Sequence, residues 1–233
     1  VSRTMRLALA ISLIIGLQFN AVSQEFNDET YRSNKALVDS FYSIEAYPEL
    51  DKALTDQVNY LVETARYDSL HDYVYKVGRA KTQLGDPMAG TSRAQELTDL
   101  IEKEDPDTSN ILFAINELSW VYYEASMDSF CLGVDQRYLE LCEQYKNASL
   151  EEQADAQYNL GFDYLGIGNT QMAIDHFEQS LKFVEKDSIG LLSKRVDCYN
   201  ALGATYWRHG FVTKAKSAML KSSELSLLLE DPV

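Results

Sequence analysis

The sequence predicts an all-α fold, an α-solenoid of about five antiparallel helical hairpins. One observation behind this prediction is the composition, which is rich in straight-chain helix formers and has only 4 prolines and 11 glycines in 233 residues. Long helices therefore meet few interruptions. The other is an internal repeat, since the segments around Leu118, Leu160 and Leu202 align without gaps at a constant spacing of 42 residues. Repeats of this length are typical of stacked helical hairpins.

Composition and charge limit the functional classes. Hydrophobic residues make up 45% of the chain and aromatic residues 11%, which is enough apolar material for a core. The 36 acidic residues outnumber the 21 basic ones, so the formal net charge is -15. Phosphate backbones and anionic lipids would be repelled by such a chain. We therefore expect no nucleic-acid partner.

The N-terminus has the layout of a secretory signal. Met5 and Arg6 precede an apolar run over residues 7–17, and the small residues Ala21 and Ser23 suit a cleavage site. The run is shorter than the ~20 residues that a transmembrane helix needs. We expect a signal peptide over 1–23, a disordered leader over 24–30, and a periplasmic or extracellular protein without membrane insertion after cleavage. Retention of the segment as an anchor is the alternative.

Each copy of the repeat follows one template: a Leu, a small residue, a Tyr, a second small residue and then Cys or Ala. The five columns are Leu118, Leu160 and Leu202; Ser119, Gly161 and Gly203; Tyr122, Tyr164 and Tyr206; Ser126, Gly168 and Gly210; Cys131, Ala173 and Ala215. Leu and Tyr four residues apart share one helix face. Gly168 and Gly210 favour the left-handed conformation that ends a helix. The template therefore predicts two helices joined by a tight turn.

The residues Leu160-Gly161, Tyr164, Gly168, Ala173 and Phe177 resemble the tetratricopeptide repeat (TPR) in order and spacing. The resemblance is specific over 150–186, good over 189–225 and weaker over 109–145, where Asp135 stands at a position expected to be large and apolar. The repeat is longer than the usual length of about 34 residues. It looks like the extended variant of kinesin light chains and of bacterial exported proteins. The resemblance implies a right-handed superhelix.

Upstream of residue 109 the pattern is weaker. Val77-Gly78, Gly85 and Ala94 suggest a fourth, degenerate copy whose turn is stretched by residues 86–90. Helical spacing of apolar residues predicts two further helices, over 31–46 and 49–65, separated by Pro48. We therefore predict degenerate hairpins over 31–108 and TPR-like repeats over 109–233. The predicted hairpins begin near residues 31, 68, 109, 150 and 189.

No constellation of catalytic, cofactor-binding or metal-binding residues is predicted, so the chain is expected not to be an enzyme. The three histidines fall on different hairpins without a carboxylate or cysteine at ligand spacing. The three cysteines are an odd number, so at least one stays free or pairs between chains. We interpret them as small buried apolar residues. These residues are His71, His176 and His209, and Cys131, Cys142 and Cys198.

The resemblance implies that the first helices of successive hairpins line a partner-binding groove. The residues placed there are rich in aromatic side chains and include one arginine, which is the composition of interface hot spots. We expect a protein or peptide partner of apolar and basic character. Burial of the aromatic side chains between hairpins is the alternative. The predicted groove residues are Asn116, Trp120, Tyr123, Tyr158, Phe162, Leu165, Asn200, Trp207 and Arg208.

Apolar residues near the C-terminus leave the last helix without a polar capping helix. They are Leu220, Leu225, Leu227, Leu228 and Leu229. We expect either self-association or a downstream domain at this helix. The leading hypothesis is thus a non-catalytic binding scaffold. The alternatives are the sensory module of a longer signalling enzyme, a histidine kinase or CHAT-type peptidase, and a self-assembling structural protein.

Overall fold

The structure, a computed structural model, describes Glu29, residues 31–187 and residues 189–230. The predicted signal peptide (1–23) lies outside the described residues, as does the leader (24–30) apart from Glu29. None of the helices in the described part is long and apolar enough to span a bilayer.

The described residues form five successive helical hairpins, which confirms the predicted all-α solenoid. The hairpins are α1 (31–43) with α2 (Tyr47–Glu63), α3 (Val74–Gln83) with α4 (Pro87–Glu104), α5 (Thr108–Glu124) with α6 (Asp128–Gln144), α7 (Leu150–Gly166) with α8 (Thr170–Val184), and α9 (Leu192–Arg208) with α10 (Val212–Glu230). Two short 3-10 turns, Tyr67–Ser69 and His71–Tyr73, precede α3. One compact unit ends at Arg66 and a second begins at Tyr67. The predicted boundary between degenerate hairpins (31–108) and TPR-like repeats (109–233) depends on how closely each segment follows the repeat template. This boundary stays a prediction.

All five hairpins turn in the same way. The residue that ends each first helix has a positive φ: Glu45, Gly85, Ser126, Gly168 and Gly210. In the fourth hairpin the Gly168 N–H donates to the Leu165 carbonyl at 3.0 Å and the Asn169 N–H to the Tyr164 carbonyl at 2.7 Å. Equivalent pairs of bonds occur in the other four turns. This pattern satisfies the last carbonyls of a helix and needs one residue in the left-handed conformation. The second small residue of the template, which is Ser126, Gly168 or Gly210, is therefore explained by the backbone conformation of the turn.

Three expected helix boundaries are wrong. α2 begins at Tyr47, before Pro48, because proline fits the first turn of a helix. Residues 86–90 are not a stretched turn. Pro87 starts α4, and the Asp86 side chain caps it by accepting the Ala89 N–H at 3.0 Å. The helix expected to start near 68 begins at Val74, after the two 3-10 turns.

The template residues form the core of the repeats. Leu118, Leu160 and Leu202 are buried, and so are the small residues beside them. A Cβ atom added to Gly161 would lie 2.5 Å from Cδ1 of Phe177, whose side chain is fully buried. The absence of a side chain at Gly161 therefore permits α7 and α8 to pack at this distance.

We expect Gly161→Ala to lower the free energy of unfolding by about 1–2 kcal/mol, since overlap with Phe177 outweighs the gain in helix propensity. Gly133→Ala in α6 is the matched control, because a Cβ atom there meets nothing within 4 Å. That control should gain about 0.5–1 kcal/mol. Urea unfolding followed by circular dichroism measures both. Changes of the same sign in the two variants would contradict the packing argument.

Candidate functional site on the first helices of three hairpins

Large aromatic side chains are exposed on the first helices of the last three hairpins. Trp120 and Tyr123 on α5 are 43% and 59% exposed, Phe162 on α7 is 44% exposed, and Trp207 on α9 is 61% exposed. The rings of Trp120 and Tyr123 meet edge to face, with centroids 5.7 Å apart. A set of exposed aromatic rings on equivalent helices is a candidate binding surface.

A cavity of about 100 Å³ lies between α5, α6 and α7. Three of the exposed aromatic residues form its walls, and polar groups line the remainder. The lining residues are Ser119, Trp120, Tyr123, Cys131, Asp135, Asn159, Phe162 and Asp163. A water molecule needs roughly 10–15 Å³ of such space, so the cavity has room for several non-hydrogen atoms.

Asp135 is a buried carboxyl group at this cavity, with only 1% of the residue exposed. Its Oδ2 accepts a hydrogen bond from the Ser119 hydroxyl at 2.7 Å, and its Oδ1 accepts one from Nδ2 of Asn159 at 3.2 Å. Asn159 Nδ2 also donates to Oδ1 of Asn116 at 2.9 Å. These bonds connect α5, α6 and α7 across the cavity.

The carboxyl group of Asp163 lines the same cavity as that of Asp135, and the two acidic groups interact electrostatically. Burial and the neighbouring Asp135 raise the pKa of Asp163 far above its usual range, and burial raises the pKa of Asp135. The buried Oδ2 of Asp163 has no hydrogen-bond partner among the described residues. With its raised pKa, Asp163 keeps a proton at a pH at which an ordinary aspartate has lost it.

The repeat itself explains why the cavity exists. Asp135 occupies the template position that Phe177 occupies in the next hairpin, and Ser119 occupies that of Gly161. In α7 and α8 the Phe177 ring fills the space against Gly161. In α5 and α6 a hydrogen bond between two small polar side chains replaces that contact. The aspartate is smaller than a phenyl ring, so space remains beside it.

A second, larger depression continues along α5 and α7 toward their N-terminal ends. It is lined by His71, Ser109, Asn110, Phe113, Asn116, Tyr138, Ser149, Glu151, Glu152 and Asp155. Asn116 lines this depression and also bonds Asn159 of the cavity. Nζ of Lys194 pairs with two of the acidic groups here, at 2.6 Å from Oδ1 of Asp155 and 3.4 Å from Oε1 of Glu151. The three carboxyl groups that line this depression thus share one lysine.

The cysteines are in environments unsuited to catalysis. All three are free and buried, as the sequence interpretation expected. Burial raises the pKa of each thiol, to about 12 for Cys131 and Cys142 and to about 11 for Cys198. A thiolate nucleophile is disfavoured in such surroundings. Among the described residues, no group of three His, Cys, Asp or Glu side chains is placed to hold a metal ion.

Comparisons with known proteins bear on the fold. No protein-family model and no curated protein matches the chain. Apo RapI matches 87% of this chain and 72% of its own with a TM-score of 0.66 and 13% identity. A kinesin-light-chain-type protein from Podosopora anserina, with nearly identical TPR-like repeats, matches 85% of this chain and 95% of its own. Its TM-score is 0.63 and its sequence identity is 17%. The chain has the TPR-like repeat fold.

A third structure of this kind, MamA from Desulfovibrio magneticus RS-1, matches 86% of this chain and 97% of its own, with a TM-score of 0.55 and 17% identity. The TPR-like fold is therefore shown by several solved structures of low sequence identity. At such identities the likeness defines architecture, and the binding chemistry has to be read from the residues of this chain.

The predicted groove residues have different environments in the TPR-like fold. Tyr158 and Leu165 are half-buried and pack against the core cluster around Phe177. The Asn200 side chain accepts a hydrogen bond from Ser222 of α10 at 2.6 Å. The exposed residues among the predicted ones are Trp120, Tyr123, Phe162, Asn200, Trp207 and Arg208. The structure brings Trp120, Tyr123 and Phe162 together at the cavity, and the role of all nine residues in binding stays a prediction.

Sequence reasoning missed Ser119, Cys131, Asp135, Asn159 and Asp163 as parts of the candidate site. One signal was available, because Asp135 departs from the apolar template position. Its partners could not be found from spacing alone, since Asn159 and Asp163 belong to the next hairpin. Their meeting depends on how neighbouring TPR-like hairpins pack.

Proposed function

We propose that this chain is a non-catalytic scaffold that binds an extended protein or peptide segment across α5, α7 and α9. The observation that carries the proposal is the exposure of Trp120, Tyr123, Phe162 and Trp207 on three successive first helices. Stacked helical repeats create extended binding surfaces, and aromatic side chains contribute most to affinity when a partner covers them.

The chemistry of this surface favours a segment with apolar and basic residues. Three acidic side chains line the depression beside the aromatic rings, namely Glu151, Glu152 and Asp155, and a single lysine, Lys194, pairs with two of them. The net charge of -15 also favours a basic partner, since it accelerates association with basic proteins and repels nucleic acid.

The non-catalytic part of the proposal is supported by the state of the reactive groups. The cysteine thiols are buried with raised pKa values, and His176 is stacked on Tyr164 while bonded to Gln157. These side chains serve packing. The signal-like residues 1–23 support a further proposal, that the scaffold acts in the periplasm or outside the cell.

We expect a double variant, Trp120→Ala with Trp207→Ala, to lose at least roughly tenfold in affinity for a bound peptide, because two hot-spot side chains are removed. The peptides come from selection of a displayed random library on the wild-type protein, and fluorescence anisotropy measures the dissociation constants. Enriched peptides should carry apolar and basic residues.

The matched control replaces two exposed aromatic residues outside the first helices, Phe130→Ala with Phe211→Ala. This variant should bind the selected peptides like the wild type. Failure of the library to enrich any peptide, or equal affinity of both double variants, would remove the proposal.

A further inference from the structure

The acidic pair at the cavity lacks a counter-charge. Neither Asp135 nor Asp163 forms an ion pair with a basic side chain in the described part of the chain. Asp155 is different, because Lys194 neutralises it at 2.6 Å. Buried carboxylates without a paired cation are costly, so such a pair retains a proton or takes up a cation.

The cavity walls supply a second, independent feature that favours a cation. Trp120 and Tyr123 lie on one side and Phe162 on the other, and all three rings remain exposed. The face of an aromatic ring attracts an ammonium or guanidinium group within about 6 Å of its centre. Carboxyl groups and aromatic rings that line one small cavity are the components of an organic-cation site.

We propose that this cavity holds the cationic head group of an arginine or lysine side chain carried by the bound peptide. The inference rests on the proposed function and names one element of the partner's chemistry. The carboxyl group of Asp163 forms the direct contact, since its buried Oδ2 has no hydrogen-bond partner among the described residues. Asp135 positions it, because its own oxygens accept bonds from Ser119 and Asn159.

The size of the cavity agrees with this occupant. About 100 Å³ accommodates a guanidinium or ammonium head group and part of its alkyl chain. The rest of the peptide would remain outside, on the exposed rings of α5 and α7.

Binding of the cation should release the proton that Asp163 keeps because of its raised pKa. The cation replaces the proton as the positive partner of the pair, and the proton passes to the buffer. The other titratable groups that bear on the pair are Asp128, Cys131 and Tyr138, all on α6. From α5 and α7 the facing polar groups are Ser119 and Asn159.

The test titrates small probes into a Trp207→Phe protein, in which Trp120 is the only tryptophan and its fluorescence reports on the cavity. The probes are the acetylated amides of arginine, lysine and citrulline. Citrulline has the shape of arginine without the charge. We expect saturable fluorescence changes with either cationic probe, none with citrulline, and proton release detectable by calorimetry in buffers of different ionisation enthalpy.

In the same protein, Asp163→Asn should weaken binding of the cationic probes at least roughly tenfold. Asp175→Asn on α8 is the matched control, because it makes the same substitution at an exposed position outside the cavity. Equal binding in the two variants overturns the inference. So does binding of citrulline as tight as arginine, absence of binding by both cationic probes, or stronger binding of Ca²⁺ than of either amide.

These outcomes separate the two proposals. Binding of the cationic probes without any selected peptide would leave the cation site standing and remove the peptide scaffold. Selected peptides whose affinity is unchanged by Asp163→Asn, and by replacing arginine with citrulline, would leave the scaffold standing and remove the cation site.

Discussion

Replacing Phe177 with alanine is expected to lower the free energy of unfolding by about 3–5 kcal/mol, the range for deletion of a buried phenyl ring. The Phe177 side chain is fully buried. Its ring meets those of Phe162 and Tyr158 edge to face, at centroid distances of 5.1 Å and 5.6 Å. Phe177 also belongs to the cluster that joins α8 to α9 and α10. Deleting the ring would therefore leave a cavity and loosen the contact between two hairpins.

Urea unfolding monitored by far-UV circular dichroism measures this loss, and a broadened transition would show that the last hairpin unfolds separately. Phe130→Ala on α6 is the matched control. Its ring is 59% exposed and stacks on Tyr122 at 5.5 Å, so its removal should cost no more than about 1.5 kcal/mol. Similar losses in the two variants would show that Phe177 is not the packing centre described here.

The free energy of unfolding should also fall by about 2 kcal/mol as the pH rises from about 4 to above neutral, through Asp163 alone. Burial and the adjacent Asp135 raise the pKa of Asp163 in the folded chain. Between the ordinary and the raised pKa the unfolded chain has lost a proton that the folded chain keeps. Folding then becomes less favourable with increasing pH. Asp163 is half-buried, and solvent screening reduces the effect well below the full value.

Asp163→Asn should remove this part of the pH dependence, because asparagine has nearly the same size as aspartate and carries no charge at any pH. Urea titrations of wild type and variant at about pH 4.5 and about pH 8.5 measure it. The variant should match the wild type at the lower pH and exceed its stability at the higher one. Parallel stability curves would contradict the raised pKa of Asp163.

Glu117 on α5 should also lower the free energy of unfolding as the pH rises. Its effect must be distinguished from that of Asp163. Burial raises its pKa to about 7, with Lys76 opposing and Asp72 adding to the shift. Glu117→Gln should therefore remove a separate part of the loss of stability at high pH. The effects of Glu117→Gln and Asp163→Asn should be additive, because the two carboxyl groups have no common partner among the described residues.

The spacing of the repeat was enough to predict the fold and much of the core. Leu118, Leu160 and Leu202 are buried as the template requires, and the small residues at Ser126, Gly168 and Gly210 have the left-handed backbone that ends each first helix. Such features depend on contacts within one hairpin, where spacing along the chain determines which residues meet. Boundaries near Pro48 and Pro87 were less accurate, since proline both interrupts and starts helices.

By itself, then, the sequence determined a solenoid of helical hairpins with aromatic residues such as Trp120 and Trp207 on the first helices. Only the tertiary structure decided that Asp135 would meet Asn159 and Asp163, and that a cavity would remain beside them. The physical reason is that these side chains belong to different hairpins. Their distances, burial and raised pKa values follow from the packing of one hairpin on the next, which the spacing of residues within a repeat does not specify.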